Sequence, residues 1–258
     1  MKKVKKAIIT GRRKAGRAVN VAQKVMAKLK QWGVDYEVTD YFPAVEEGGR
    51  DINEIKNADM VLCFGGDGSF LRTFQRLKKP MPVLGINCGN RGYLLALDQK
   101  NVLQKLQGML SGKYSLEERT RIKVFVDGKE AGQGLNEAII VPQLAGRLLN
   151  YRLIIDGKKT GQEADDGIIV ATPSGSTAHS LSAGGPRIMG NAKVFVIVRM
   201  NPLDLNRRPL VINDHSVIQV DQLGSPSVQV IIDGQMDFLA QKEVRIEKGT
   251  SVQFVKPK

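Results

Sequence analysis

The sequence is poor in the residues that build metal centres and disulfide frameworks. Its 258 residues include two cysteines and two histidines, and Cys63 and Cys88 lie in apolar runs without a CxxC spacing. Zinc sites and disulfide-rich folds draw on more Cys and His than this. We therefore expect no metal site built from protein ligands, and two reduced core cysteines in a reducing compartment, which predicts a cytoplasmic protein.

Long apolar runs are also missing. No stretch approaches the roughly 20 apolar residues that a transmembrane helix needs. Residues 1–6 are basic, but a short strand-like run follows them instead of the apolar core of a signal peptide. Hydrophobic residues make up 42% of the chain and charged residues 25%, a balance typical of globular proteins. Neither a membrane partner nor disorder is expected.

Aromatic residues are few, whereas positive charge is abundant. One Trp and five Tyr accompany a formal net charge of +13. Such a surplus suits a nucleic-acid binder, a protein that attracts a polyanionic small substrate, or simply a solvated basic surface. Because few rings are available to stack on bases, a nucleic-acid partner is not expected.

Two kinds of pattern divide the chain. Helical spacing is predicted at residues 15–32, 69–77 and 101–110, between strand-like runs at 6–10, 35–39, 59–64 and 82–86. From residue 113 onward, turn signals such as Asp127-Gly128, Asp156-Gly157 and Asp233-Gly234 separate short alternating runs. Strands are predicted at 121–126, 137–141, 151–155, 168–171, 194–198, 216–220, 228–232 and 244–246. These patterns predict an α/β domain at 1–112 with a parallel, doubly wound sheet, and an all-β, sandwich-like domain at 113–258. The last strand can pack on either domain.

A glycine-rich turn follows the buried run at 59–64. It consists of Gly65, Gly66, Asp67, Gly68 and Ser69. Its glycines expose backbone N–H groups, and the positive end of the following helix points to the same place, as in phosphate-binding loops. Among such groups a carboxylate suits a base for a hydroxyl, or a magnesium contact, and Arg72 can reach a phosphate oxygen. The alternative is a plain β–α turn with Asp67 as the helix N-cap.

Three further segments are unusual for a plain core. Residues 85–94 (GINCGNRGYL) end a strand in glycines and offer Tyr93 for stacking, although Tyr93 is as easily a core residue. Asn136 and Glu137 lie side by side in an apolar run, where they either bind hydroxyl or amide groups of a ligand or face water on an edge strand. Residues 166–186 are rich in small residues, which is costly unless something packs closely against them. Their GSTAH sequence lacks the last glycine of a nucleophile elbow, so hydrolase chemistry is not expected.

Together these motifs closely resemble the NAD kinase family. The matching segments are GGDGS at 65–69, GINxGxxGYL at 85–94, LNE at 135–137, DGIIVATPSGSTAHSLSAGGP at 166–186 and DGQ at 233–235. They cover about residues 59–238 in the right order and spacing. The GGDG motif alone is shared with lipid kinases, whereas TPSGSTA together with NE is much more specific.

The resemblance implies a reaction, its participants and a set of site residues. The reaction is phosphoryl transfer from ATP, or from polyphosphate, to the adenosine-ribose 2′-hydroxyl of NAD, with Mg²⁺ held mainly through substrate phosphates. The family's homodimers or homotetramers are implied as well. By position, Asp67 is the general base, and Gly65, Gly66, Gly68 and Ser69 form the phosphate-donor loop. The implied NAD contacts are Asp67, Gly68, Arg72, Tyr93, Asn136, Glu137, Arg147, Asp166, Thr177, Ala178, His179, Ser180, Leu181, Ser182 and Gln235.

Three positions depart from the family pattern, and two other functions compete with this prediction. His179 replaces a usual Tyr, Ala164 a frequent basic residue and Leu203 a common His. The Ala164 departure leaves the preference between NAD and NADH open. A lipid kinase would share GGDG without the NE and TPSGSTA motifs. A non-catalytic binding protein would bind oligonucleotides in a salt-sensitive way and make no NADP.

Overall fold

The computed structural model describes residues 1–11, 16–42, 48–90, 92–144, 146–224 and 228–258. Over these residues the chain divides into two units, Met1–Glu118 with Val252–Lys258, and Arg119–Ser251. None of the helices in these ranges is long and apolar enough to cross a membrane.

The elements follow one another in two groups. The first group is β1 (Lys6–Gly11), α1 (Gly16–Gln31), β2 (Asp35–Val38), β3 (Met60–Gly65), α2 (Asp67–Arg76), β4 (Pro82–Asn87), β5 (Leu97–Asp98), α3 (Val102–Leu110) and β6 (Tyr114–Arg119). The second is β7 (Ile122–Val126), β8 (Lys129–Gly134), β9 (Glu137–Pro142), β10 (Leu149–Ile155), β11 (Lys158–Asp165), β12 (Gly167–Ala171), a 3₁₀ turn (Ser174–Thr177), α4 (His179–Ser182), β13 (Val194–Met200), β14 (Leu210–Asn213), β15 (Ile218–Asp221), β16 (Val228–Ile232), β17 (Met236–Ala240), β18 (Glu243–Lys248) and β19 (Val252–Pro257).

The first unit is built on a seven-stranded sheet in the order β2-β1-β3-β4-β19-β6, with β5 beside β4. The pairs of β1 with β2 and β3, and of β4 with β3, β5 and β19, are parallel. This unit extends past the predicted boundary at residue 112 because β6 lies next to β19 in this sheet. The last strand, which the sequence left open between the domains, pairs with β4.

Helices cover both faces of this sheet, so the predicted doubly wound α/β fold is confirmed. Buried residues of α1 and α3 share one apolar cluster with Leu62 and Ile86. On the other face, α2 packs Phe70 and Phe74 against Phe254, with ring centroids 4.8 and 5.3 Å apart. The strand β3 is buried along its whole length, as its unbroken apolar run predicts.

The second unit contains two six-stranded sheets, in the orders β11-β10-β15-β18-β7-β8 and β14-β13-β12-β9-β16-β17. All the strand pairs with a described register in these sheets are antiparallel. Alternate residues of both sheets form one buried cluster, which confirms the predicted sandwich. The four edge strands, β8, β11, β14 and β17, escaped sequence prediction. An edge strand has one strand neighbour and more contact with water, so its apolar alternation is weak.

Candidate functional site

The glycine-rich turn lies between β3 and α2. The helix begins at Asp67 rather than at Ser69, and Gly66 is its N-cap, with extended dihedral angles of φ −108° and ψ −172°. A Cβ atom built on Gly66 would meet no heavy atom within 4 Å. The N–H of Ser69 donates to the Gly66 carbonyl at 3.0 Å. The open space at Gly66 lies at the positive end of the helix, where a phosphate oxygen can approach the backbone.

The carboxylate of Asp67 does not cap the helix, so the alternative of Asp67 as the N-cap is wrong. Its Oδ2 accepts the N–H of Tyr93 at 2.9 Å, and its Oδ1 accepts the N–H of Leu94 at 3.1 Å. The N–H of Cys88 also donates to the Gly65 carbonyl at 2.9 Å. The structure thus brings two predicted motifs together and fixes the direction of the carboxylate. Each carboxylate oxygen still has a second lone pair for a hydroxyl group or a cation.

The loop that follows β4 presents an aromatic ring to the outside. Tyr93 is 72% exposed, so it is not the core residue that the sequence allowed. Its glycine neighbours serve the packing of the loop: a Cβ on Gly92 would come within 2.8 Å of Leu95 Cδ1, and one on Gly85 would overlap Leu95 Cδ2. Arg91 of this motif lies outside the described residues.

Arg72 lies on the exposed side of α2 and has a partner that the sequence did not point to. Its Nη1 donates to the hydroxyl of Tyr41, and its guanidinium carbon lies 5.4 Å from the centre of the Tyr41 ring. The one available signal was an aromatic residue just after the carboxyl end of β2, where ligands of parallel sheets bind.

In the second unit, Asp233 supports the Asn136–Glu137 pair. The Asp233 carboxylate accepts three backbone N–H groups, from Leu135 at 2.8 Å, Asn136 at 2.7 Å and Glu137 at 3.2 Å. Asp233 has a φ of +51° in the turn that precedes Gln235. The LNE and DGQ motifs therefore meet. Sequence reasoning used Asp233 as a turn signal and missed this supporting role.

The TPSGSTA segment, which follows β12, is hydrogen-bonded to the backbone of the same LNE motif. The N–H of Thr172 donates to the Asn136 carbonyl at 2.8 Å, and the Thr172 hydroxyl donates to the Leu135 carbonyl at 2.5 Å. A Cβ on Gly175 would overlap the carbonyl group of Asn136. The small residue at 175 is thus required by backbone packing, not by a ligand.

Three polar atoms around this junction are buried and have no hydrogen-bond partner in the described part of the chain: Asn136 Oδ1, Glu137 Oε2 and Ser174 Oγ. Glu137 is only 5% exposed, so an edge-strand pair facing water is not what the structure contains. Because buried polar atoms are normally paired, these atoms mark a place where a polar ligand can supply the missing partners.

Burial, together with the nearby Asp233 carboxylate, raises the pKa of Glu137 to about 8. Near neutral pH the native side chain is therefore mostly a neutral carboxylic acid, able to donate as well as accept a hydrogen bond. In the unfolded chain the pKa returns to about 4.5, so the native state binds more protons between these two values. The free energy of unfolding then falls as pH rises through this window and levels off above it.

We expect Glu137→Gln to remove this component of the pH dependence. The stability of the variant relative to wild type should increase from about pH 5 to about pH 8, by up to about 1.4 kcal/mol per pH unit. Urea unfolding of both proteins at several pH values measures this relative stability. Glu130→Gln, which changes an exposed carboxylate of the same unit, is the matched control. A relative stability that stays constant from pH 5 to pH 8 would mean that native Glu137 is already ionised in this range.

Two of the remaining predicted contacts adjoin this junction: the Thr177 hydroxyl donates to the Ser174 carbonyl at 3.4 Å, and the N–H of Ala178 donates to the Gly175 carbonyl at 3.0 Å. Asp166 is exposed and accepts a hydrogen bond from Asn201 Nδ2 at 2.7 Å. Arg147 is exposed and Gln235 is half-buried. Among residues 177–182, Thr177, His179, Leu181 and Ser182 are exposed, Ala178 is half-buried and Ser180 is buried. Of the departures from the family pattern, Leu203 is exposed and Ala164 is half-buried on β11.

Comparisons with known proteins agree over both units. Residues 9–114 match the ATP-NAD kinase N-terminal domain, and residues 135–256 match the ATP-NAD kinase C-terminal domain. The NAD kinase of Methanothermobacter thermautotrophicus is 39% identical over 227 residues, which cover 85% of this chain and 79% of that protein. The NAD kinase of Methanopyrus kandleri is 32% identical over 229 residues, with coverage of 88% and 83%.

Two solved structures are similar to the whole chain. The crystal structure of an NAD kinase from Archaeoglobus fulgidus in complex with ATP has a TM-score of 0.81 and 25% identity, and the match covers 98% of this chain and 93% of that one. Yeast NADH kinase complexed with NADH has a TM-score of 0.86, with coverage of 100% and 85%. At 22% identity, the second similarity concerns the fold alone.

Proposed function

The chain belongs to the NAD kinase family, and we infer from this premise that it transfers a phosphoryl group from ATP to the adenosine-ribose 2′-hydroxyl of NAD. It is an enzyme, a phosphotransferase that acts on an alcohol group. The family and the function predicted from the motifs are confirmed. The lipid-kinase alternative fails because both matching domains are those of ATP-NAD kinases. The observation that supports the mechanism is a carboxylate, Asp67, held by two backbone N–H groups beside an open glycine-rich turn.

Asp67 has the role of general base in this proposal. The ribose hydroxyl is a weak nucleophile, and most of the acceleration comes from positioning and charge neutralisation. As the ribose oxygen bonds to the γ-phosphorus of ATP, the hydroxyl proton passes to Asp67 and ADP leaves. The hydrogen bonds from Tyr93 and Leu94 keep the carboxylate in one orientation, which supports its assignment as the group that meets the hydroxyl.

NAD is held in this proposal by the residues that the motifs predicted. Asn136 and Glu137 contact ribose hydroxyl or amide groups, because their unsatisfied oxygens can pair with such groups. Tyr93 offers its exposed ring to a base. The other contacts follow from the family resemblance: Gly68, Arg72, Arg147, Asp166, Thr177, Ala178, His179, Ser180, Leu181, Ser182 and Gln235. By the same resemblance, Gly68 and Arg72 also lie beside the phosphates of the donor.

Mg²⁺ binds mainly through the substrate phosphates in this proposal. Within the described ranges, no three His, Cys, Asp or Glu side chains lie close enough together to hold a metal ion. Mg²⁺ commonly binds through phosphates with one or two carboxylates, and Asp67 beside the glycine-rich turn fits that pattern. When bound, the ion neutralises charge on the phosphoryl oxygens.

An assay of NADP formation tests this function. Purified protein is incubated with NAD and Mg²⁺, and with either ATP or polyphosphate as donor. ATP is the expected donor, in keeping with the ATP complex of the Archaeoglobus fulgidus relative. Failure to form NADP with either donor, from folded protein that binds NAD, would contradict the proposal.

Replacing Gly66 by alanine tests the donor loop. The free protein has room for the added methyl group, so we expect no loss of stability. The methyl group would stand where phosphate oxygens approach the backbone, so we expect the KM for ATP to rise about tenfold. Gly108→Ala in α3, where the methyl group meets only Lys113 Cδ at 3.8 Å, is the control. An unchanged KM in the Gly66 variant would remove this turn from the donor site.

Assembly and location complete the proposal. The family resemblance suggests a homodimer or homotetramer. A reducing, cytoplasmic location suits Cys63 and Cys88, which are free and buried. Burial raises the pKa of the Cys63 thiol to about 12 and that of Cys88 to about 11, so neither is a reactive thiolate near neutral pH.

A further inference from the structure

Hydrogen bonds hold the backbone on both sides of Tyr41, just after β2. The N–H of Phe42 donates to the Thr39 carbonyl, and the N–H of Asp40 donates to the Arg50 carbonyl, both at 2.9 Å. Thr39 and Phe42 are buried, and the Thr39 hydroxyl donates to that of Thr10 on β1 at 2.9 Å. Tyr41 itself is half-buried between these anchors. Its backbone is therefore tied to the carboxyl edge of the parallel sheet.

Two arginines of α2 contact the Tyr41 ring. The guanidinium carbon of Arg76 lies 4.9 Å from the ring centre, and that of Arg72 lies 5.4 Å from it. Arg76 is fixed by ion pairs with Asp40 at 2.8 Å and Asp51 at 3.1 Å. Arg76 thus has acidic partners of its own and steadies the ring, whereas the Tyr41 hydroxyl accepts a hydrogen bond from Arg72.

These contacts restrict an arginine that is otherwise exposed. A free arginine side chain samples many rotamers, and ordering it on ligand binding costs free energy. The Tyr41 ring and hydroxyl order the Arg72 guanidinium before any ligand arrives. The arginine lies on the helix whose first turn carries Asp67 and whose N-cap, Gly66, has open space beside it.

We propose that Tyr41 is a positioning residue, which holds the Arg72 guanidinium ready for the phosphate oxygens of the phosphoryl donor. This inference rests on the proposed function, in which Arg72 contacts phosphate. Tyr41 touches neither substrate nor reacting atoms and acts through Arg72 alone. Its removal should therefore weaken donor binding and leave the chemical step largely intact.

Steady-state kinetics with ATP and NAD varied in turn test the proposal. We expect Tyr41→Leu to raise the KM for ATP about tenfold, more than it raises the KM for NAD, with kcat within about twofold of wild type. Tyr41→Phe keeps the ring and loses the hydroxyl, so its KM should rise about threefold. Tyr36→Leu, which removes a half-buried tyrosine of β2 beside Lys30, is the matched control and should leave the KM for ATP unchanged.

A double-mutant cycle separates positioning from a general structural effect. In an Arg72→Ala background, Tyr41→Leu should raise the KM for ATP no further, because its effect passes through the missing guanidinium. Additive effects, a loss confined to kcat, or an Arg72→Ala variant with wild-type KM would each overturn the proposal. If Tyr41→Leu fails to fold, the same double-mutant cycle is measured with Tyr41→Phe, and the same outcomes apply. The proposed function fails separately, if wild-type protein makes no NADP.

Discussion

The Asp67→Asn variant is expected to lose turnover by about 10²–10⁴-fold, with little change in its affinity for NAD. An amide cannot accept the proton of the ribose hydroxyl at neutral pH. It also offers one acceptor oxygen where the carboxylate offers two, so it keeps only one of the hydrogen bonds from Tyr93 and Leu94. The measurement pairs kcat for NADP formation with the Kd for NAD from calorimetry.

Asp98→Asn provides the matched control for this prediction. Asp98 belongs to the same unit, and its Oδ1 accepts the N–H groups of Lys100 at 2.8 Å and Asn101 at 3.0 Å. The amide retains that acceptor, so the change removes a charge without removing these bonds, and activity should stay near wild type. Near-full turnover of Asp67→Asn would rule out the base assignment. A loss of NAD affinity without a loss of kcat would instead make Asp67 an anchor of the Tyr93 loop.

The second large effect concerns a buried charged cluster in the sandwich. Arg199 on β13 donates to both carboxylate oxygens of Glu163 on β11, with Nη2 to Oε1 at 3.0 Å. The Tyr151 hydroxyl donates to Asp165 and lies 3.2 Å from Glu163 Oε2. All four side chains are buried. Because β11 and β13 belong to different sheets, the cluster connects the two layers of the sandwich.

The cluster has two carboxylates with opposite pKa shifts. Burial acts to raise the pKa of Glu163, but hydrogen bonds from Arg199 and Thr160 outweigh it, so this pKa is lowered. For Asp165, burial dominates and its pKa is raised. The ionised form of Glu163 therefore depends on Arg199.

We expect Arg199→Met to lower the free energy of unfolding by up to about 3–5 kcal/mol. The buried Glu163 would keep only the half-buried Arg207, whose Nη1 lies 3.6 Å from Glu163 Oε1, as a counter-charge. Urea unfolding measures this loss. The control is Arg152→Met: Arg152 makes two hydrogen bonds to Asp221, at 2.9 and 2.7 Å, but this pair is partly exposed. Loss of the Arg152–Asp221 pair should lower the free energy of unfolding by about 1 kcal/mol or less.

A second variant separates the buried charge from lost packing. Adding Glu163→Gln to Arg199→Met removes the buried carboxylate and should recover part of the stability. Equal losses in Arg199→Met and Arg152→Met, or no recovery in the double variant, would contradict this account of the cluster.

The sequence by itself determined the fold class, the central strands and the reaction. Strands such as β3 and β12 are buried on both faces, so their apolar runs are continuous and visible in the sequence. The motifs are visible for a related reason: a turn that admits phosphate needs glycines, and a hydroxyl needs a base, so the chemistry fixes residue types at fixed spacing.

Only the tertiary structure decided which groups meet. The donors to Asp67 are backbone N–H groups, which every residue except proline carries, so no sequence pattern marks them. Tyr41 beside Arg72, Asp233 beneath Asn136, and Glu163 against Arg199 are contacts between residues far apart in the chain. Two glycines show that the sequence does not reveal which group approaches a residue. The sequence reserves Gly66 and Gly175 alike for close approach, but the structure leaves Gly66 open to a ligand and packs Gly175 against the Asn136 carbonyl.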